Sequence, residues 1–181
     1  MILVDAWTDA FDAGPIIHGS EPMIKVFLSH QAADSVTAAQ VARRLKVYHD
    51  IDSYLDVIDP YIGWRGEDLA SHIRLEMGKC TQLLAVVSSS TLASQWVPWE
   101  IGVATEKDYP LATYTAGFGT PPEFLRKWPY LRSDADLDQY ALVSKAARSS
   151  LLRKRAVLTE EAALSSSVGE FYSSLRGRLG Q

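Results

Sequence analysis

Cysteine is almost missing from this chain: the one thiol, Cys80, has no internal partner for a disulfide. That excludes a disulfide scaffold and fits a reducing compartment. Its neighbours Met77, Leu83 and Leu84 mark Cys80 as a buried structural thiol rather than a nucleophile. Long hydrophobic runs are missing too, since no stretch reaches the roughly 18 apolar residues of a membrane helix. Ile2-Leu3-Val4 is followed by Asp5, Asp9 and Asp12 with no basic residue before it, the reverse of a secretory signal. The expectation is a cytoplasmic protein with no membrane partner. An excess of positive charge is also lacking. The formal net charge is −4, which gives no general footprint for nucleic acid.

Familiar nucleotide and metal signatures are absent as well. No G-x-x-x-x-G-K-[ST] loop occurs, which excludes a P-loop hydrolase, and no G-x-G-x-x-G follows the first apolar strand. A phospho-receiver needs acidic residues at the ends of its first and third strands. Ser29-His30 and Ser88-Ser89 stand there instead. The four histidines, His18, His30, His49 and His72, have no neighbour at metal-ligand spacing, so neither a metal nor a cofactor is expected. His49 and His72 fall among polar helical residues and are expected at the surface. His30 alone lies where a strand end can build a site.

What is present is ordinary globular composition: 47% apolar and 22% charged over 181 residues, enough for one well-packed domain. Residues 1–22 read as an amino-terminal extension broken by Gly14-Pro15 and Glu21-Pro22. Residues 23–181 read as one α/β domain. Ile24-Lys25-Val26-Phe27-Leu28-Ser29 is a buried strand, and Asp34 is placed to cap a helix with Val36, Ala39, Val41, Leu45 and Tyr48 on its apolar face. Tyr54–Ile58 predicts a second strand, ended by Asp59-Pro60. The loop Tyr61-Ile62-Gly63-Trp64-Arg65-Gly66 leads into a helix from about Glu67 to Gly78, with Leu69, Ile73 and Met77 on one side. Leu83–Val87 predicts the third strand, and a helix follows from near Gln95. Leu111–Tyr114 and Pro129–Leu131 complete the strands. From about Asp136 the pattern is helical, with a break expected near Ser165-Ser166-Ser167.

Strands alternating with helices imply a parallel sheet covered on both faces, and right-handed crossovers leave few topologies. A flavodoxin-like five-stranded sheet in the order 2-1-3-4-5 is expected. It places a ligand crevice at the carboxyl ends of the first and third strands.

Two motifs at that crevice carry a family resemblance. Val26-Phe27-Leu28-Ser29-His30 resembles the opening strand of Toll/interleukin-1 receptor (TIR) domains. Ser94-Gln95-Trp96-Val97-Pro98-Trp99-Glu100 resembles the family's second motif, a Ser, a Trp-Cys pair and a Glu four residues after the Trp, with Val97 in place of the Cys. The resemblance covers about Ile24 to Leu131. It implies that Glu100 is the catalytic residue of an NAD glycohydrolase or cyclase, as in stand-alone bacterial members acting in antiphage defence. It further implies self-assembly through TIR–TIR contacts and a downstream effector that senses the nucleotide product.

Helix geometry bears on Glu100 independently. Val97, Ile101 and Ala104 repeat at i, i+4, i+7 and should face the sheet. Trp96 and Glu100 lie on a stripe rotated about 100° from it, at the border of the core. Pro98 is tolerated in the first turn, whose N–H groups lack intrahelical partners. Glu100 also fits as a plain first-turn glutamate complementing the helix dipole, and the neighbouring pattern favours a site.

One carboxylate suffices for NAD, because its nicotinamide is already a cationic pyridinium and departs as a neutral amine. A fixed ionised carboxylate then stabilises positive charge developing on the ribose carbon. Trp64, Trp96 and Trp99 are candidate stacking partners for a pyridinium or adenine face. Trp64 lies in a loop between Gly63 and Gly66, which the resemblance matches to the variable loop that TIR domains use for assembly and for covering the site. Ser29 and His30 line the crevice floor, and Arg65 is placed to meet the diphosphate. Ser94 completes the substrate-binding set.

Two other readings remain open. One is a non-catalytic TIR–TIR interaction module. The other is a deoxyribosyltransferase-like enzyme, for which Asp59 is the one clear additional acid. Towards the carboxyl end, Lys145, Arg148, Arg153, Lys154 and Arg155 give a basic face, read as solvated surface or as contact with an acidic partner. Phe171, Tyr172, Leu175 and Leu179 should dock the last helix.

Overall fold

Alternation decides the architecture, because successive strand side chains point to opposite sides of a sheet. A computed structural model of the chain describes residues 23–55, 66–115, 119 and 121–181. In it β1 (Lys25–Ser29), β2 (Asp52–Leu55), β3 (Gln82–Val86), β4 (Leu111–Tyr114) and β5 (Tyr130–Leu131) form one sheet in the order β2-β1-β3-β4-β5. Every pairing is parallel. This is the flavodoxin-like order expected from the sequence. The residues 56–58 assigned to the second strand lie outside the described residues.

The helices are α1 (Ser35–His49), α2 (Gly66–Gly78), α3 (Trp96–Glu106), α4 (Asp134–Arg155) and α5 (Glu160–Leu179). They divide between the two faces. Val26, Leu28, Leu84 and Ala112 pack with Val41 and Leu45 of α1, Leu137 and Tyr140 of α4, and Phe171 and Leu175 of α5. Phe27, Leu83, Ala85 and Leu111 pack with Ile73 and Met77 of α2 and Val97, Ile101 and Ala104 of α3. Burying a large apolar side chain contributes about 1.5–3 kcal/mol, so both faces hold the sheet. An ion-pair cluster fastens α1 to α4: Arg44 grips Asp138 through Nε at 2.9 Å and Nη2 at 2.7 Å, and reaches Asp134 at 2.9 Å. No helix among the described residues is long and apolar enough to cross a membrane.

Several local expectations are corrected. On α1 the buried stripe is Ala38, Val41 and Leu45, whereas Val36, Ala39 and Tyr48 are exposed. Tyr48 instead lies under the Arg44 guanidinium, 5.1 Å from its ring. Asp34 precedes α1, but its side chain makes no cap hydrogen bond. His49 and His72 are half-buried with partners: His49 Nε2 meets Asp138 at 2.8 Å, and His72 Nε2 lies 3.3 Å from the Tyr54 hydroxyl. The chain breaks between α4 and α5 at residues 156–159, where the Thr159 hydroxyl accepts from Ala162 N–H. Ser165–Ser167 continue α5 without interruption. The late basic residues are not a uniform solvated face, since Lys154 pairs with Glu170 at 2.7 Å and Arg155 pairs with Glu160.

Candidate functional site

Ser29 follows Phe27 in strand parity, so its side chain points to the face covered by α3. Glu100 lies on α3 one residue before the sheet-facing Ile101, which turns it towards the carboxyl end of β1. The two meet: the Ser29 hydroxyl donates to Glu100 Oε2. Ser29 is 0% exposed and Glu100 2%. The carboxylate expected at the border of the core is therefore inside it. A buried carboxylate is tolerated only with hydrogen-bond donors around it, and the Ser29 hydroxyl is one.

His30 follows directly and is also buried, with Nδ1 3.0 Å from the Leu28 carbonyl oxygen. A carbonyl only accepts, so Nδ1 carries a hydrogen in this contact. Gln31, next in the chain, has its amide oxygen buried without a hydrogen-bond partner among the described residues. Sequence reasoning did not single out Gln31. Its signal was only position, immediately after the strand-end pair.

The loop after β3 meets the loop after β1. Ser88 N–H donates to Thr91 Oγ1 at 2.9 Å, and Ser90 N–H donates to Ser88 Oγ at 3.1 Å, which closes a reciprocal cap. The Ser88 hydroxyl also donates to Asp34 Oδ2 at 2.9 Å. Asp34 thus ties the loop after β1 to the loop after β3, instead of capping α1.

Ser94 accepts from Val97 N–H at 3.3 Å and so serves the start of α3. Trp96 and Trp99 are half-buried, packed against the α3-side core, with ring centroids 5.6 Å apart at 86°. That edge-to-face contact absorbs part of each ring in packing. The structure brings Ser29 and Glu100 together at the end of β1, with His30 next in the chain and held by the Leu28 carbonyl. Trp64 and Arg65 lie outside the described residues, as does Asp59. Among the described residues no group of three or more His, Cys, Asp or Glu could hold a metal ion.

This geometry places a buried carboxylate at the crevice of a 2-1-3-4-5 sheet, and comparison with known proteins gives the family. A TIR-domain family model matches residues 26–132. The chain belongs to the TIR-domain family. Comparison with curated proteins finds no match. Among solved structures, this TIR chain is similar to the TIR domains of the activated Roq1 resistosome recognising the pathogen effector XopQ. The identity is 18%, the match covers 87% of this chain and 98% of that one, and the TM-score is 0.41.

Proposed function

We propose that this TIR domain is an NAD glycohydrolase or cyclase that breaks the nicotinamide–ribose bond with Glu100 as the catalytic carboxylate. The observation carrying the reading is the buried Glu100 side chain at the end of β1, held by the Ser29 hydroxyl. The bond from the ribose carbon to the pyridinium nitrogen breaks with its electron pair going to nicotinamide, which leaves neutral. Positive charge then grows on the ribose carbon, where a fixed carboxylate stabilises it without reorganising. Water captures that carbon and loses a proton to give ADP-ribose, or an atom of the same nucleotide captures it to give a cyclic ADP-ribose.

Ser29 orients Glu100, the amide oxygen of Gln31 supplies an acceptor for hydroxyl or amide donors of the nucleotide, and His30 is assigned to the crevice floor. Trp96 and Trp99, together with Trp64 and Arg65 from the sequence reading, are assigned to the rings and the diphosphate, and Ser94 to the mouth of the crevice. With Glu100 only 2% exposed, NAD reaches it once a covering group moves aside. Self-assembly through TIR–TIR contacts is our proposal for what opens the site. Depletion of NAD or release of a messenger to a nucleotide-sensing effector would serve bacterial antiphage defence inside the cytoplasm. Residues 23–181 are taken as the TIR unit, with residues 1–22 as an extension.

The second reading, a non-catalytic TIR–TIR module, draws on the same burial: Glu100 is already hydrogen-bonded and enclosed. Chromatography of nicotinamide and its co-product, across a range of protein concentrations, separates the two. Release that rises more steeply than protein concentration supports the assembling enzyme, and the co-product tells hydrolase from cyclase. No release at any concentration favours the module.

A further inference from the structure

A cavity of about 220 Å³ lies at the amino end of the sheet, between the strand starts and the α4–α5 pair. Ile24, Gln82 and Pro110, at or just before the starts of β1, β3 and β4, line it. Ser29 and Glu100 stand at the other end of β1, roughly 17 Å away for a strand of five residues. This is a separate place from the candidate active site.

Most of its wall is apolar, with Ile24, Leu151 and Val168 among the lining residues. Two polar groups interrupt that wall without partners. Ser167 is 3% exposed, and its hydroxyl oxygen has no hydrogen-bond partner among the described residues. Arg148 lines the cavity with its Nε–H buried and equally unpartnered. The neighbouring polar groups are satisfied: Gln82 Nε2 donates to the Tyr140 hydroxyl at 2.6 Å and to Ser144 Oγ at 3.0 Å. Arg155 is engaged by Glu160. Arg148 has no ion pair among the described residues, and it also lines an adjoining cleft of mixed charge with Lys46, Asp50, Asp52 and Lys145, where Lys46 is paired with both aspartates.

A buried donor left unpaired costs more than an ordinary hydrogen bond returns, so such a group is expected to meet a ligand. A guanidinium offers a planar fork that matches a carboxylate. The apolar wall selects against a heavily hydrated dianion such as phosphate, whose desolvation a single cation does not offset. We propose that this cavity is a second ligand site of the protein, taking a small monocarboxylate with an apolar body, the acid on Arg148 and the body against the aliphatic wall. Ser167 supplies the additional hydroxyl. The site is independent of the NAD-cleavage reading, because neither Glu100 nor Ser29 contributes to it.

The test is calorimetric titration of the full chain with benzoate and hexanoate, with benzyl alcohol as the uncharged control. The expected result is saturable binding of one acid per chain and none of the alcohol. Arg148→Met should weaken binding at least about tenfold, as loss of a charge-assisted hydrogen bond does. Arg148→Lys, which keeps the charge and guards against a folding defect, should weaken it less. Ser167→Val, which adds bulk and removes the hydroxyl, should also weaken it, and Glu100→Gln should leave it unchanged. Absence of saturable binding by either acid, equal binding of the alcohol, or unchanged affinity in folded Arg148→Met overturns the proposal.

Discussion

Ser29, the last residue of β1, donates its hydroxyl hydrogen to Oε2 of Glu100 in α3, 71 positions later in the chain. Neither residue is a surface group. The contact exists because strand parity sends Ser29 to the α3 side and helix phase sends Glu100 to the strand end. If Glu100 is the catalytic carboxylate, this hydroxyl sets where it points. Ser29→Ala should lower the turnover of NAD roughly 10- to 100-fold, the value of a hydrogen bond to a charged group. KM should change less than kcat, and steady-state kinetics on folded protein reads the split.

Asp34 joins the loops that follow β1 and β3. Asp34→Ala removes the acceptor from the Ser88 hydroxyl and should cost about 1–3 kcal/mol. Asp34→Asn keeps an acceptor oxygen and should cost less. Denaturant unfolding of the three proteins checks the order, and equal stabilities would remove the strut.

Acid stability should respond to Asp138. The Arg44 guanidinium hydrogen-bonded to Asp138 holds its carboxyl well below the ordinary 3.8, at about 2. A depressed folded value means the contribution is fully present above about pH 4 and is lost as pH falls towards 2. Melting of wild type and Asp138→Asn across that window should show the largest gap above pH 4, closing near pH 2. A gap that does not change with pH contradicts the assignment.

Cys80 is 5% exposed, and burial pushes its thiol up to about 11. Thiolate is the reactive form, so native protein at pH 8 should react slowly with a disulfide reagent and quickly in denaturant. Equally fast reaction in both would show that the site opens readily.

The parts of this fold that were legible in the sequence are those where local pattern and tertiary burial agree. The apolar run Leu111–Tyr114 coincides with β4, and spacing alone gives the α3 face of Val97, Ile101 and Ala104. The sheet order followed from the alternation of strands and helices. On α1, two apolar stripes compete, and only contact with the sheet chooses Ala38, Val41 and Leu45 over Val36 and Ala39. Asp34 reads as a cap because its partner Ser88 is 54 positions distant and invisible locally. The helix break falls before α5 and not at Ser165–Ser167, because serines are tolerated inside a packed helix whereas Thr159 followed by Glu160 and Glu161 forms a capped first turn. At the site, position picked out Ser29, His30 and Glu100, but burial of the carboxylate and the unpartnered Gln31 oxygen needed the fold.

Glu100→Gln tests the central claim most directly. Glutamine keeps the shape and an acceptor for Ser29 while removing the charge, so the fold should persist, as circular dichroism and melting would verify. Wild type at high concentration should release nicotinamide from NAD, and the variant should release at least about a hundredfold less, in line with the loss of a preorganised charge. Nicotinamide release by folded Glu100→Gln at the wild-type rate would contradict the account.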